Sequence, residues 1–267
     1  MTLHPDLDAA LVAFAAAPER VIALDFDGVL APIVPRPEDA APLAATRAAL
    51  ERLAQDPTVH LGLVSGRAAG DPALLRAAPP STAIIGSHGA EQGFVQEDGR
   101  LEVVPPVLGE EQQALLERLR ERTAELTAAV PGSWVEEKPT AIVVHTRPVP
   151  DAAAAAALEQ DTLAQLGSLT GVRAIAGKRV VELSVAHATK GDAVTLLRTG
   201  FPARTLPEGT PLLYGGDDVT DEDAFAALVP GDLGIKVGDG ETRATFRVED
   251  PAAVGQVLAR LAELAGM

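Results

Sequence analysis

The chain has 267 residues, 47 % of them hydrophobic, with 22 Lys and Arg against 38 Asp and Glu and a formal net charge of −16. That acidity excludes a nucleic-acid binder and docking on an anionic membrane, both of which need clustered Lys and Arg, and obliges any phosphorylated substrate to be met by a local positive site or a metal ion. With no cysteine there is no disulfide framework, thiol nucleophile or zinc–thiolate site, and aromatics at 3 % leave few stacking platforms.

Residues 6–17 have helical spacing, and Val21-Ile22-Ala23-Leu24 is a short apolar strand that stops abruptly at Asp25-Phe26-Asp27-Gly28. A helix is expected at about 40–55, then the buried-strand run His60-Leu61-Gly62-Leu63-Val64, ending in Ser65-Gly66-Arg67. A short helix at 71–77 leads to Ala83-Ile84-Ile85 and the loop Gly86-Ser87-His88-Gly89-Ala90-Glu91. Strands that alternate with helices, each ending in polar residues and glycine, indicate βαβ units and a parallel sheet. The middle reads differently: a charged helix at about 109–129, a strand near Trp134, another at 141–146, a helix at 151–167, and strands at 172–176 and 179–183. Gly177 and Lys178 between the last two are too short a link for a crossover, so that pair is an antiparallel hairpin. The α/β pattern then returns, with a helix at 190–199, a strand at 211–214, a helix from Asp221, a strand at 233–237 and a final helix. The expected fold is an α/β, Rossmann-like parallel-sheet core at 1–107 and 186–267, interrupted by an α+β unit at 108–185.

Alternation along an extended chain sends the Asp25 and Asp27 carboxylates to one side and Phe26 to the other. Asp-Gly is also an ordinary turn signal, so this stretch by itself reads equally as a strand-terminating Asx turn. A second acidic cluster, Gly215-Gly216-Asp217-Asp218-Val219-Thr220-Asp221-Glu222-Asp223, follows the strand Leu212-Leu213-Tyr214. Asp221 to Asp223 fit the acidic first turn of a helix, whereas Asp217 precedes that helix. In parallel α/β sheets ligands bind beyond the carboxyl ends of strands, where the two clusters could converge. Crowded carboxylates repel unless protonated or neutralised by a cation, and oxygen ligands without Cys or clustered His point to Mg²⁺ rather than zinc.

Ser65 ends a third strand and Lys190 begins a helix; an N-cap and a solvated charge are their plain alternatives. Only four lysines, Lys138, Lys178, Lys190 and Lys236, stand beside eighteen arginines, and the first three fall in motifs discussed here. An aspartate pair, a hydroxyl, a lysine and a metal-binding acidic pair together suit phosphoryl transfer, whose transition state spreads negative charge over three oxygens. Asp25 would attack the phosphate to give an aspartyl-phosphate; Asp27 would protonate the leaving alkoxide and then activate water; Ser65 and Lys190 would hold the phosphoryl oxygens.

These residues resemble the four motifs of the haloacid dehalogenase (HAD) superfamily: Asp25-Phe26-Asp27-Gly28-Val29-Leu30, Ser65, Lys190 and Gly216-Asp217-Asp218. The insert resembles that superfamily's type-2 cap, which covers the site and selects the substrate. The match is closer to the trehalose-6-phosphate phosphatase family, through Leu24 to Ile33, Val64-Ser65-Gly66-Arg67, Gly86 to Glu91 and Tyr214 to Phe225. In the insert, Glu136-Glu137-Lys138, His145-Thr146-Arg147, Gly177-Lys178 and Glu182 extend it. The resemblance implies sugar-phosphate recognition by Arg67, His88, Glu136, Lys138, Arg147, Lys178 and Glu182, with a solvated strand face as the plain reading of the two glutamates. It implies Mg²⁺ held by Asp25, the Asp27 backbone carbonyl and Asp217, with Asp218 or Asp221 orienting the ligands from behind, and a cap that closes to complete the sugar site.

One stretch departs from the family pattern. Ser184 and Val185 stand where Arg-Pro is usual, His187 where Gly is common, and Thr189 where Asn precedes the lysine. Lys190 keeps its spacing from Glu182, so the departure falls on the linker between cap and core.

The expected activity is Mg²⁺-dependent hydrolysis of trehalose 6-phosphate. The alternative is another HAD phosphatase, for sucrose phosphate, a glycosyl phosphoglycerate or a hexose phosphate. A receiver-type phosphorylation switch would be far shorter and have no use for Asp27; a sugar-phosphate binder without activity would keep every catalytic group idle. The expected partner is a small-molecule sugar phosphate, not nucleic acid or membrane; the oligomeric state stays open, with a monomer favoured. No segment approaches the roughly 18 apolar residues of a membrane helix. His4, Asp6 and Asp8 stand where a signal peptide would be basic, so a cytoplasmic location is expected.

Overall fold

The apolar run that precedes Asp25 is buried at every residue, the pattern of a strand covered on both faces. The computed structural model describes residues 3–200 and 205–266. Along the chain lie α1 (Pro5–Ala15), β1 (Arg20–Leu24), α2 (Ala44–Leu53), β2 (Val59–Val64), α3 (Pro72–Ala77), β3 (Ala83–Gly86), β4 (Glu91–Val95), β5 (Leu101–Val104) and α4 (Glu110–Ala128). Then follow β6 (Trp134–Lys138), β7 (Ala141–His145), α5 (Ala152–Thr162), β8 (Arg173–Gly177), β9 (Val180–Ser184), α6 (Lys190–Thr199), β10 (Leu212–Gly216), α7 (Asp221–Ala226), β11 (Leu233–Val237), β12 (Phe246–Val248) and α8 (Pro251–Leu264). The chain divides into two units, one of Met1–Val104 with Ala188–Met267 and one of Pro105–His187.

The first unit is built on one sheet of order β12-β11-β10-β1-β2-β3-β4-β5. Its strands from β12 to β3 pair in parallel, so β1, β2 and β10 all end at one edge. Strand β1 is central, and its two faces bury different helices. Ile22 and Leu24 pack with Leu11 of α1, Leu50 of α2 and Leu258 of α8. Val21 and Ala23 pack with Val194 and Leu197 of α6 and Phe225 of α7. Each such side chain taken from water contributes about 1.5–3 kcal/mol, and these two layers hold the carboxyl ends of β1 and β10 in register.

Three strands of this sheet were not legible in the sequence. The hairpin of β4 and β5 runs antiparallel on the far edge, and β12 adds three residues at the other. Glu91-Gln92-Gly93 opens β4 without an apolar run, β5 is largely exposed, and β12 is too short to show a period.

The second unit carries an antiparallel sheet of order β6-β7-β9-β8. Ile142, Val181 and Leu183 on one face pack against Leu116 and Leu119 of α4 and Leu166 beyond α5. The expected hairpin is present, with its turn one residue later than the sequence suggested: Lys178-Arg179 joins β8 to β9, and Arg179 takes a left-handed φ of 67°. Among the described helices none is long and apolar enough to cross a membrane.

Candidate active site

Because β1 and β10 are neighbours, Asp25 and the loop Asp217–Asp221 leave the sheet side by side; the Asp25 N–H donates to the Gly215 carbonyl (2.9 Å). Lys190 reaches the same place from the first turn of α6. Thr189 caps that helix reciprocally: its hydroxyl accepts from the Asp192 N–H (3.2 Å), and the Asp192 carboxylate accepts from the Thr189 N–H (2.8 Å). The departure at Thr189 therefore keeps the cap that holds Lys190.

The Lys190 ammonium, 2 % exposed, donates to Asp25 Oδ2 (2.6 Å) and to Asp221 Oδ1 (2.7 Å). Phe26 N–H donates to Asp25 Oδ1 (2.6 Å). Asp221 is fully buried. Its Oδ1 also accepts from the Tyr214 hydroxyl (2.7 Å), and its Oδ2 accepts the N–H groups of Asp217 (2.9 Å) and Asp218 (2.8 Å). Position in the chain fits a helix-start acid; tertiary packing makes Asp221 the buried anchor of the acidic loop. Lys236, the lysine outside every motif read in the sequence, is also buried and donates to the Asp217 backbone carbonyl (2.5 Å).

One carboxylate oxygen each from Asp25, Asp217 and Asp221 lie within 4.8 Å of one another. Burial pushes Asp25 up to about 8, against the opposing Lys190 ammonium and with help from Asp221 and Asp217. Burial and the nearby Asp221 raise Asp217 to about 6. Burial acts the same way on Asp221, but Lys190 and the hydrogen bonds from Lys190, Tyr214 and Asp218 outweigh it, and its pKa is lowered. On Lys190 burial is likewise outweighed, by Asp25 and Asp221, which raise it. Three hard oxygen donors that repel one another, with no sulfur or imidazole among them, fit a divalent cation such as Mg²⁺. Gly28 makes room for this cluster: its φ is +79°, and a Cβ there would stand 2.1 Å from Asp217 Oδ2. Asp218 lies outside the three, its exposed carboxylate accepting from the Val219 N–H (2.6 Å).

Asp27 faces Arg67, which donates two hydrogen bonds to its carboxylate (2.6 and 2.8 Å). The same guanidinium reaches Asp71 (3.2 Å) and the Pro37 carbonyl (3.0 Å) and lies 5.1 Å over the Phe26 ring. Ser65 is buried at the end of β2, its hydroxyl accepting from the Arg67 N–H (3.2 Å). His88 and Ser87, both at positive φ, lock onto this loop: His88 N–H donates to the Ser65 carbonyl (3.0 Å) and Ser87 N–H to the Arg67 carbonyl (2.7 Å). The His88 ring covers Gly66, where a Cβ would meet it at 2.6 Å. Buried Glu91 accepts from the Ser87 hydroxyl and from the Ala69 N–H (3.3 Å), tying the two loops together.

In the second unit, Lys138 Nζ donates to Glu182 Oε2 (2.6 Å), both side chains buried, and His145 Nε2 lies 2.8 Å from Glu136 Oε2. Arg147 and Lys178 are exposed. Ser184 turns its hydroxyl to the Thr140 and Ala186 carbonyls, and Val185 is buried in that unit's core; His187 is exposed. A cavity of about 390 Å³ bounded by Val21, Asp56, His60 and Leu197 opens at the amino ends of β1 and β2, away from all the residues predicted for catalysis.

Sequence reasoning passed over Tyr214, Lys236, Asp71 and Glu91 as working parts of the site. The usable signals were composition and position: Tyr214 is the only tyrosine, at the end of a strand, and Lys236 is one of four lysines.

A mostly parallel sheet with this carboxylate and lysine cluster at its strand ends, and a four-stranded antiparallel insertion, defines the HAD class. Residues 23–252 match the sequence model of the trehalose-phosphatase family, and the chain belongs to that family. A trehalose-phosphate phosphatase of Mycobacterium marinum is 32 % identical over 256 residues, 92 % of this chain and 62 % of that protein. An uncharacterized glycosyl hydrolase of Mycobacterium tuberculosis is 36 % identical over 250 residues, 90 % of this chain and 18 % of that protein. The chain thus spans less than two thirds of either relative. In fold it is similar to the C-terminal domain of Candida albicans trehalose-6-phosphate phosphatase, with a TM-score of 0.78, 24 % identity and 98 % of each chain covered.

Proposed function

We propose that this protein is a Mg²⁺-dependent phosphatase that hydrolyses trehalose 6-phosphate through an aspartyl-phosphate on Asp25. The observation that carries the reading is the buried Asp25–Lys190–Asp221 cluster beside Asp217, in a chain of the trehalose-phosphatase family. Asp25, Asp217 and the Asp27 carbonyl would hold the cation, with Asp221 and Lys236 fixing the loop that carries Asp217. When bound, Mg²⁺ lowers the repulsion between a carboxylate and a phosphate dianion.

Asp25 Oδ attacks phosphorus as the bond to the sugar oxygen breaks, and Asp27 gives its proton to the departing alkoxide. Asp27 then takes a proton from a water that attacks the acyl phosphate, freeing phosphate and restoring Asp25. In its pair with Arg67, both carboxylate oxygens of Asp27 are taken up by N–H bonds. Its acid role needs that fork to open, and an opened Arg67 has donors free for the phosphate oxygens. Lys190 and Ser65 hold those oxygens as charge spreads over them.

The unit Pro105–His187 would recognise the sugar through Glu136, Lys138, Arg147, Lys178 and Glu182, whose charged groups suit a ligand rich in hydroxyls. Lys178→Ala should lower kcat/KM for trehalose 6-phosphate at least about tenfold, the worth of one charged hydrogen bond, while a small aryl phosphate changes little. Equal losses on both substrates would remove Lys178 from the sugar site.

The direct test is phosphate release from trehalose 6-phosphate, sucrose phosphate, a glycosyl phosphoglycerate and glucose 6-phosphate, with Mg²⁺ and with EDTA. Trehalose 6-phosphate should be preferred, and EDTA should abolish turnover until Mg²⁺ is restored. A preference for another member of the panel defeats the substrate; full activity in EDTA defeats the metal.

A further inference from the structure

The sheet β6-β7-β9-β8 has a second face, opposite the one packed on α4 and α5. Strand register puts Trp134, His145, Val180 and Gly177 in one row of that face, and Glu136, Val143, Glu182 and Ile175 in the next, about 7 Å on. Trp134 is the only tryptophan of the chain and is 48 % exposed. Its ring lies flat on His145, with centroids 4.0 Å apart and planes 4° apart, and His145 is itself held by Glu136 at 2.8 Å. One face of the indole is therefore covered and fixed. The turn residue Lys178 follows Gly177 of this row, and Arg147 lies two residues beyond His145.

We infer that the Trp134 ring is a stacking surface for the sugar ring that does not carry the phosphate, and the residue by which this protein favours a disaccharide phosphate over a hexose phosphate. The inference rests on the function proposed above. A pyranose offers a flat C–H face and a rim of hydroxyls; a tryptophan face matches the first, and Glu136 in the next row of the same strand, with Arg147 two residues beyond His145, matches the second. In a chain with 3 % aromatics, a half-exposed indole held in place by a stacked and hydrogen-bonded histidine is a prepared surface, so little side-chain freedom is lost when a ring settles on it.

Two measurements on the full chain test this. Wild type, Trp134→Ala and Trp134→Phe are compared on trehalose 6-phosphate, glucose 6-phosphate and a small aryl phosphate. Trp134→Ala should raise KM and lower kcat/KM for trehalose 6-phosphate about tenfold, while the other two substrates stay within about twofold, and Trp134→Phe should restore most of the loss. Titration of wild type with trehalose should give a saturable change in indole emission, which comes from Trp134 alone. A Trp134→Ala protein that keeps the wild-type preference, loses equally on all three substrates, or a wild-type emission unmoved by trehalose at inhibitory concentration, overturns the stacking role. A wild type with no preference for trehalose 6-phosphate overturns the function on which it rests.

Discussion

Asp25→Asn is expected to leave a folded protein with turnover reduced by more than about 10³-fold, the scale of losing a nucleophile that acts as one unit with its neighbours. The amide keeps the shape of the carboxyl and can still accept from Phe26 N–H, but it cannot form an acyl phosphate. Lys190 retains Asp221 as its partner, so the buried ammonium is not orphaned. Removing a carboxylate that burial, Asp221 and Asp217 already disfavour should leave the melting temperature close to that of wild type. Circular dichroism and a thermal melt report the fold, and phosphate release reports the chemistry. Near-wild-type turnover would refute covalent catalysis by Asp25.

Lys190→Met should damage both stability and activity. It removes the ammonium buried between Asp25 and Asp221 and leaves carboxylates without their charge partner. Breaking a buried pair from one side costs about 3–5 kcal/mol, which for a domain of this size lowers the melting temperature by about 10 °C. Mg²⁺ should recover part of that loss, because a cation again neutralises the cluster. The pH dependence has a definite sign. In the metal-free wild type, Asp25 is raised from 3.8 to about 8 and Asp217 to about 6, so the folded protein holds their protons more tightly than the unfolded chain does. That contribution is fully present below 3.8 and is lost as pH rises toward 8. Thermal melts of EDTA-treated Lys190→Met should therefore improve from pH 8 down to pH 5. A variant whose stability falls over that interval would contradict the electrostatic account.

The sheet edge that carries the acidic cluster was legible because β1, β2 and β10 are buried on both faces and read as apolar runs, each broken by a polar residue at its carboxyl end. Asp25, Ser65 and Asp217 follow from that punctuation, and Lys190 from its place at the start of α6. What was illegible is set by partners distant in the chain. Asp221 has the spacing of an acid at a helix start, and only its contacts with Lys190 and Tyr214 show that it anchors a loop. The Arg67 fork on Asp27 spans 40 residues, and the Lys138–Glu182 pair spans 44. Glu91 opens a strand that lacks any apolar period, so its burial and its bond to Ser87 came as findings.

The strand order has a consequence for how such a molecule is made. Strand β1 lies between β2, which follows it closely, and β10, which is translated much later. Val21 and its β10 partner Leu212 are 191 residues apart. At elongation rates of about 5–20 residues per second that separation lasts roughly 10–38 s. Through that interval the emerging polypeptide carries a hydrophobic strand with one bare hydrogen-bonding edge, the kind of surface that pairs with stray chains. The ribosome-bound chain that has made β1 and not yet β10 should therefore engage chaperones through that edge.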